Sequence, residues 1–409
     1  MSGFRREDLI YDWNEVEAPP QHALKLNDET LRDGLQSPSV ATPAIESKIK
    51  ILRLMEDLGI YSADIGLPGA GPQAFNSTLA LAAEIARAKM RLYPYCAART
   101  IVNDIAPIIE ISQKTGLRIQ AALFMFSSPI RQLTESWDAD RMLKTSEDAI
   151  AFALKNDVPV MYVTEDTTRS RPETLTRLYR MALDNGVERV CIADTVGHAT
   201  PTGVRRIVGF LKEMVDETSV DVGIDWHGHR DRGLSIINAL TAYYAGADRI
   251  HGCALGIGER VGNTPLDLLM VNFKLLGILD QDLTRLPEYC RTVSEACNVP
   301  IPDNYPVVGA DAFRTATGVH ADAIIKAFKK GDAWLANRVY SAVPADEFGL
   351  TQIIEIGPMS GKSNVRYWLE QHDVRVTDEV VNRIFAEAKR VDSVLSEKQI
   401  VALVSKSAD

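Results

Sequence analysis

Val220-Asp221-Val222-Gly223-Ile224-Asp225-Trp226-His227-Gly228-His229 is the stretch from which the rest of this chain is read. A short apolar run ends in two imidazoles two residues apart. On a strand, residues so spaced point to the same side, so both rings can reach one metal ion. A His-x-His pair is also an ordinary loop feature, and its company decides between the readings. Far upstream, Asn27-Asp28-Glu29-Thr30-Leu31-Arg32-Asp33-Gly34-Leu35-Gln36 follows another short apolar stretch and gathers a carboxylate, a guanidinium and an amide around one glycine. Far downstream, Gly256-Ile257-Gly258-Glu259-Arg260-Val261-Gly262-Asn263 does the same after Asp248 to Ala254. Polar clusters set just past strands are how an α/β barrel builds its active face.

From Leu24 to about Leu276, short apolar runs alternate with amphipathic stretches, the pattern of repeated β-α units. Strands are expected near Leu24–Asn27, Ser62–Gly66, Leu92–Ala97, Arg118–Phe124, Pro159–Thr164, Arg189–Ala193, Asp221–Trp226 and Asp248–Cys253. In the first intervening helix Ile45, Ile49, Leu52 and Met55 share a face, with Glu46, Lys50 and Arg53 opposite. Gly59, Gly116, Gly186 and Gly246 each stand near a helix end before a strand, where a left-handed cap costs glycine little. Eight units of roughly 30 residues suit a (β/α)8 barrel over residues 23–278. An arm over residues 1–22 precedes it. After Leu276 the alternation is lost and prolines punctuate a mainly helical remainder, residues 279–409.

The 409 residues exceed what one core usually holds, and 46% hydrophobic composition is ample for a packed interior. The longest apolar stretches, such as Ile119 to Phe126, are too short to cross a bilayer, and no apolar leader follows Met1. A formal net charge of −10 argues against general nucleic-acid affinity. Cys96, Cys191, Cys253, Cys290 and Cys297 form no C-x-x-C pair, and read as buried free thiols in a reducing compartment. The expectation is a cytoplasmic protein without membrane or nucleic-acid partners.

Barrel closure would bring Asp33, His227, His229 and Asn263 from the ends of the first, seventh and eighth strands to one neighbourhood. One carboxylate and two imidazoles leave open positions on a divalent ion, and suit zinc, manganese or magnesium alike. Arg32 offers a planar fork for a substrate carboxylate or enolate oxygen, or else a surface salt bridge. Glu165 ends the fifth strand and Thr195 the sixth, both within reach of the same pocket. Asp194 reads equally as a ligand contact and as a cap for the following helix.

The three clusters, in this order, resemble the DRE-TIM metallolyase superfamily, above all its 2-isopropylmalate, homocitrate and citramalate synthase branch. Thr30-Leu31-Arg32-Asp33-Gly34-x-Gln36 is similar to the first signature of that family, and Gly256-x-Gly258-Glu259-Arg260-x-Gly262-Asn263 to its glycine-rich one. Thr317-Gly318-Val319-His320-Ala321-Asp322-Ala323 resembles its helical-subdomain motif, and Tyr340 precedes Pro344-x-x-x-Phe348-Gly349 much as a family tyrosine does. The likeness spans about Leu24 to Val365. One departure stands out: Arg230 replaces the asparagine of the usual His-x-His-Asn-Asp. His198, in a place often aromatic, is expected in the pocket wall.

This resemblance implies a Claisen-type condensation of acetyl-CoA, the co-substrate, with a 2-oxo acid. Asp33, His227 and His229 would be direct metal ligands, with Asn263 near the metal or its water. Arg32 would orient the oxo acid and steady the enolate oxygen, with Glu165 holding Arg32; Gln36 and Thr195 would contact substrate. His320 paired with Glu259 would be the base, assisted by Tyr340. Because His320 and Tyr340 lie beyond the barrel, the resemblance implies a homodimer whose helical region folds over the partner's barrel. The Gly-Asn ending of the glycine-rich loop favours 2-oxoisovalerate, hence 2-isopropylmalate and leucine biosynthesis, with citramalate or homocitrate synthesis as alternatives. So short a remainder after Lys362 implies no leucine regulatory domain. Two further readings are a hydroxymethylglutaryl-CoA lyase type of retro-aldol enzyme, against which Cys253 falls out of register, and a scaffold that has lost the reaction.

Overall fold

A computed structural model describes residues 5–14, 20–218 and 220–405. Eight strands close into one parallel barrel in chain order: β1 Lys25–Asp28, β2 Ser62–Asp64, β3 Tyr93–Arg99, β4 Gln120–Phe126, β5 Val160–Glu165, β6 Arg189–Asp194, β7 Gly223–Gly228 and β8 Arg249–Gly252. The last strand returns to the first, with Leu26 opposite Ile250 and Asn27 opposite His251. Every strand read from the sequence is present, displaced by one or two residues at its ends. At β7 the displacement has a consequence. Pairing with β6 runs on to Asp194 opposite Gly228, so His227 lies within the strand and His229 just beyond it, in an isolated bridge to Asn263.

The main apolar core lies between barrel and helices, as the alternation of apolar runs and amphipathic stretches requires. In the helix Ile45–Asp57 the fully buried side chains are Ile51, Leu52, Leu54 and Met55, while Ile45 and Ile49 are half-buried. The buried face is therefore turned from the expected one, because the helix packs not only on the barrel but also against Pro72–Ala88 and Leu286–Cys297. Gly116 ends Val102–Thr115 at φ +69° and Gly246 ends Ser235–Ala245 at φ +120°, conformations that a Cβ would strain.

Inside the barrel the packing is different. A small apolar cluster of Tyr95, Ala122, Met161 and Cys191 sits beside buried Glu29, Asp225, Arg249 and His251, rather than in layers of aliphatic side chains.

Beyond the barrel the chain is mainly helical, with Gly318–Lys329, Lys362–Gln371, Asp378–Ala388 and Glu397–Ser405 and one two-stranded parallel pair, Arg314–Thr315 with Ile353–Ile354. These elements bury two further small cores, one around Ala321, Ile324 and Ile354, the other around Ile356, Leu369 and Ile384. The arm expected over residues 1–22 lies partly outside the described residues; in its described part Tyr11 and Trp13 are exposed. No helix among the described residues is long and apolar enough to cross a membrane.

Candidate active site

Residues after the C-terminal ends of the strands converge at the mouth of a cavity of about 280 Å³. Asp33 opens the short 3-10 turn Asp33–Gln36 that follows β1. His227 lies near the end of β7 and His229 one residue past it, where its bridge to Asn263 continues the extended chain, so the two rings face the same side. Asp33 Oδ2 lies 3.4 Å from His227 Nε2 and 3.8 Å from His229 Nε2. The two Nε2 atoms are 3.1 Å apart, and three ligand atoms of these residues lie within 4.8 Å of one another. Two imidazole nitrogens facing each other beside a carboxylate, all largely buried, form a donor set that one divalent cation satisfies. Zinc, manganese and magnesium all accept such nitrogen and oxygen donors.

Asn263 is buried beside His229, with its Oδ1 unpartnered and its Nδ2 donating to the Ile257 carbonyl at 3.2 Å. Its seat depends on Gly258, where a Cβ would stand 2.1 Å from Asn263 Nδ2.

Arg32 lines the cavity with Gln36, Glu165, Thr195 and Glu259. Its Nε donates to Asp64 Oδ2 at 2.6 Å, and its Nη atoms lie 3.6 Å from Glu29 and 3.7 Å from Asp33. The expected support from Glu165 is not how Arg32 is held. Glu165 pairs instead with Arg131, Nε to Oε1 at 3.2 Å, because β5 carries it to the opposite wall beside the helix Pro129–Glu135. Burial of Glu165 raises its carboxyl above the ordinary value, against the pull of Arg131. Thr195 Oγ1 accepts the Asp166 amide at 2.8 Å, leaving its hydroxyl hydrogen to donate.

Asp194 does not cap the following helix, Pro201–Asp216, whose cap is Thr200, its side chain accepting the Gly203 amide at 3.3 Å; Asp194 ties the intervening turn, accepting the Thr168 hydroxyl at 2.7 Å and the His198 and Ala199 amides at 2.8 and 3.2 Å. His198 is exposed and not in the cavity wall, since that turn presents its backbone rather than its ring; its carbonyl accepts from Arg232 at 2.8 Å. Arg230 likewise turns away from the cavity. Its Nε donates to the Val261 carbonyl at 2.6 Å and its amide to the Gly262 carbonyl at 3.1 Å, clamping the glycine-rich loop.

His320 and Tyr340 do not line this cavity. Both are exposed, and their rings stack at 4.1 Å.

Sequence reasoning passed over Glu29, Asp64, Asp225 and His251. Glu29 Oε2 lies 2.8 Å from His227 Nδ1, and its Oε1 lies 2.8 Å from His251 Nδ1 and accepts the Tyr95 hydroxyl at 2.7 Å. Burial opposes ionisation of Glu29, but His227, His251 and Arg32 around it hold its carboxyl well below the ordinary value. Burial works against protonation of His227 too, yet Glu29 and Asp33 raise its imidazole above the ordinary value; burial and the neighbouring His227 lower that of His229 to about 4. A signal for Asp225 was available: it alternates with His227 and His229 and therefore faces the barrel interior.

The HMGL-like family profile matches residues 23–293, and the profile described as homocitrate synthase post-HMGL domain-like matches residues 307–395. The chain is 30% identical over 365 residues to the homocitrate synthase AksA of Methanopyrus kandleri, covering 88% of this chain and 86% of that one. It is 29% identical over 379 residues to a 2-isopropylmalate synthase of Pyrococcus furiosus, covering 90% and 72%. Among solved structures, a hydroxymethylglutaryl-CoA lyase of Pseudomonas aeruginosa superposes with a TM-score of 0.55 at 18% identity, over 67% of this chain and 93% of the other.

Proposed function

Because the chain belongs to the HMGL-like family, within the DRE-TIM metallolyase superfamily, we propose that it condenses acetyl-CoA with a 2-oxo acid to give a 2-alkylmalate and free CoA, with 2-oxoisovalerate as the acceptor. The observation that carries the choice of acceptor is the lining of the cavity. Leu67, Ala97, Ala122, Phe124, Met161 and Val163 give that cavity an apolar part of its lining, shared with Arg32 and the histidines. Both cations of the lining are engaged, Arg32 with Asp64 and Arg260 with Asp231 at 2.8 Å. A second carboxylate, such as that of 2-oxoglutarate, would lie unpaired against the apolar part and costs several kcal/mol there, whereas an isopropyl group gains from burial. Discrimination against pyruvate is weaker, about 1–3 kcal/mol for the missing methyl groups.

A divalent ion held by Asp33, His227 and His229 would supply Lewis acidity at the carbonyl of the oxo acid. The Arg32 fork, fixed by Asp64, points positive charge at the oxygens of the oxo acid and at the developing enolate. The Thr195 hydroxyl and Gln36 hold the substrate carboxylate. A base removes one proton from the acetyl methyl group, the new carbon–carbon bond forms at the carbonyl carbon, and water then cleaves the thioester. His320, with Tyr340 stacked on it and Glu259 opposite, takes that proton when the helical region of one subunit covers the barrel of another, since neither ring reaches its own cavity. Asn263, with its free Oδ1, completes the polar wall beside His229.

The retro-aldol reading needs a reactive cysteine at the mouth. Cys253 is fully buried, and burial together with Asp33 and Glu29 pushes its thiol well above the ordinary value. That favours the synthase. The test is release of free thiol from acetyl-CoA with Mg²⁺, Mn²⁺ or Zn²⁺ across 2-oxoisovalerate, pyruvate and 2-oxoglutarate. Metal-dependent release greatest with 2-oxoisovalerate is expected; release with 2-oxoglutarate alone would overturn the acceptor, and silence across the panel would overturn the synthase.

A further inference from the structure

Behind the three ligand residues, a chain of polar side chains runs down the barrel axis, and the reaction outlined above does not use it. His227 Nδ1, the ring nitrogen turned away from Asp33 and His229, lies 2.8 Å from Glu29 Oε2. The other oxygen of Glu29 lies 2.8 Å from His251 Nδ1, and His251 Nε2 lies 2.7 Å from Asp225 Oδ2. Asp225 is in turn gripped by Arg189 and Arg249, and Arg189 reaches Asp248 at 2.7 Å, which Lys25 meets at 2.8 Å near the opposite mouth. Glu29, His251, Asp225 and Arg249 are each at most 3% exposed. Burying so many charges costs free energy that an aliphatic core would not, which points to a role other than stability.

Glu29, His227 and His251 also present ligand atoms close together, and could be mistaken for a second metal site. Their separations of 2.8 Å are those of direct hydrogen bonds, with each Glu29 oxygen facing one ring nitrogen. A carboxylate can only accept, so the contact keeps hydrogen on His227 Nδ1 and frees Nε2 toward Asp33 and His229.

We propose that Glu29, His251 and Asp225 form a positioning relay that holds His227 in the tautomer and ring orientation a metal ion requires, so that the metal affinity of this protein is set from inside the barrel. The relay rests on the reading of Asp33, His227 and His229 as ligands. Glu29 acts directly on His227, His251 acts by fixing Glu29, and Asp225 acts by fixing His251. None of the three supplies a ligand to the metal. A carboxylate behind a metal-bound histidine commonly changes metal affinity by about 10–100-fold when removed.

The test is Zn²⁺ affinity of the full chain, measured by competition with a chromophoric chelator, with melting temperature recorded alongside. Glu29→Ala should weaken Zn²⁺ binding by about 10–100-fold and Glu29→Gln by less, because an amide oxygen still accepts from Nδ1. His251→Gln should weaken it by about 10-fold although it offers the metal nothing, and the Glu29→Ala/His251→Gln pair should lose little more than Glu29→Ala alone, since both act through one contact. If a variant fails to fold, long-range ¹H–¹⁵N spectra of the zinc-loaded wild type decide: a downfield His227 Nδ1 proton in slow exchange with water is expected from its bond to Glu29, and an Nδ1 proton in fast exchange overturns the relay. Wild-type affinity in folded variants of both Glu29 and His251 would also overturn it. Absence of Zn²⁺ binding by the wild type would instead overturn the ligand assignment on which it stands.

Discussion

At the scale of single residues, the site depends on side chains whose geometry matters as much as their charge. Arg32 places its Nε on Asp64 at 2.6 Å while its Nη atoms stay within 3.7 Å of Glu29 and Asp33, an arrangement that needs a planar fork. Arg32→Lys keeps the charge and loses the fork, and turnover in the thiol-release assay should fall on the order of 100-fold with metal content unchanged. Asp267 offers a prediction about pH. It accepts the Leu255 amide at 2.7 Å and the Tyr305 hydroxyl at 2.9 Å, and burial raises its carboxyl from 3.8 to about 6. Between those values the folded state binds more protons than the unfolded one, so this group's contribution to stability falls as pH rises through that window and its penalty is fully present above about 6. Asp267→Asn, whose oxygen can still accept the Leu255 amide and whose NH2 can donate to the Tyr305 oxygen in place of accepting from it, should raise stability at pH 7 relative to pH 4 by at most about 3 kcal/mol, read by urea unfolding at the two pH values.

At the scale of elements, the loop after β8 carries Glu259 and Asn263 and is held by close backbone packing. Gly262 sits at φ +106°, where a Cβ would stand 1.8 Å from the Gly256 carbonyl oxygen. Gly262→Ala should therefore destabilise the fold by about 2 kcal/mol or more and lower activity with it, seen as a drop in melting temperature. Arg230 ties the same loop from outside through the Val261 carbonyl. Arg230→Ala should leave the melting temperature nearly unchanged, as surface changes usually do, while raising KM for the oxo acid, since the loop it releases is the one that places Asn263 beside His229. The β7 and β8 strands themselves were legible from their apolar runs; the clamp was not, because Arg230 meets Val261 only after the barrel has closed.

At the scale of the whole molecule, the separation of His320 and Tyr340 from the cavity bears on assembly. If His320 is the base, as proposed, it must serve the barrel of another subunit, since it does not line its own. Mixing inactive His320→Ala with inactive Asp33→Ala chains, under conditions that allow subunit exchange, should restore about a quarter of wild-type activity if each site is built from two chains, because half of the dimers then hold one intact site. No recovery after proven exchange would place the base elsewhere.

The local alternation of apolar and polar residues determined the eight β-α units, and spacing of two along β7 determined that His227 and His229 face one side, because both follow from the periodicity of the backbone. Asp33 and Arg32 were legible for a similar reason: each stands just past a strand, where a barrel presents side chains to its mouth. Asp225 was legible only in its direction, through its alternation with His227 and His229; Glu29, Asp64 and His251 were not legible, since a lone acid or histidine carries no mark of its partner. Their roles come from strand register and closure, which set Asn27 beside His251 and bring β1, β2, β7 and β8 around one axis. Arg131 took Glu165 from Arg32, and Arg230 turned to the loop, by the same cause: contacts between residues distant along the chain exist only once the barrel has closed.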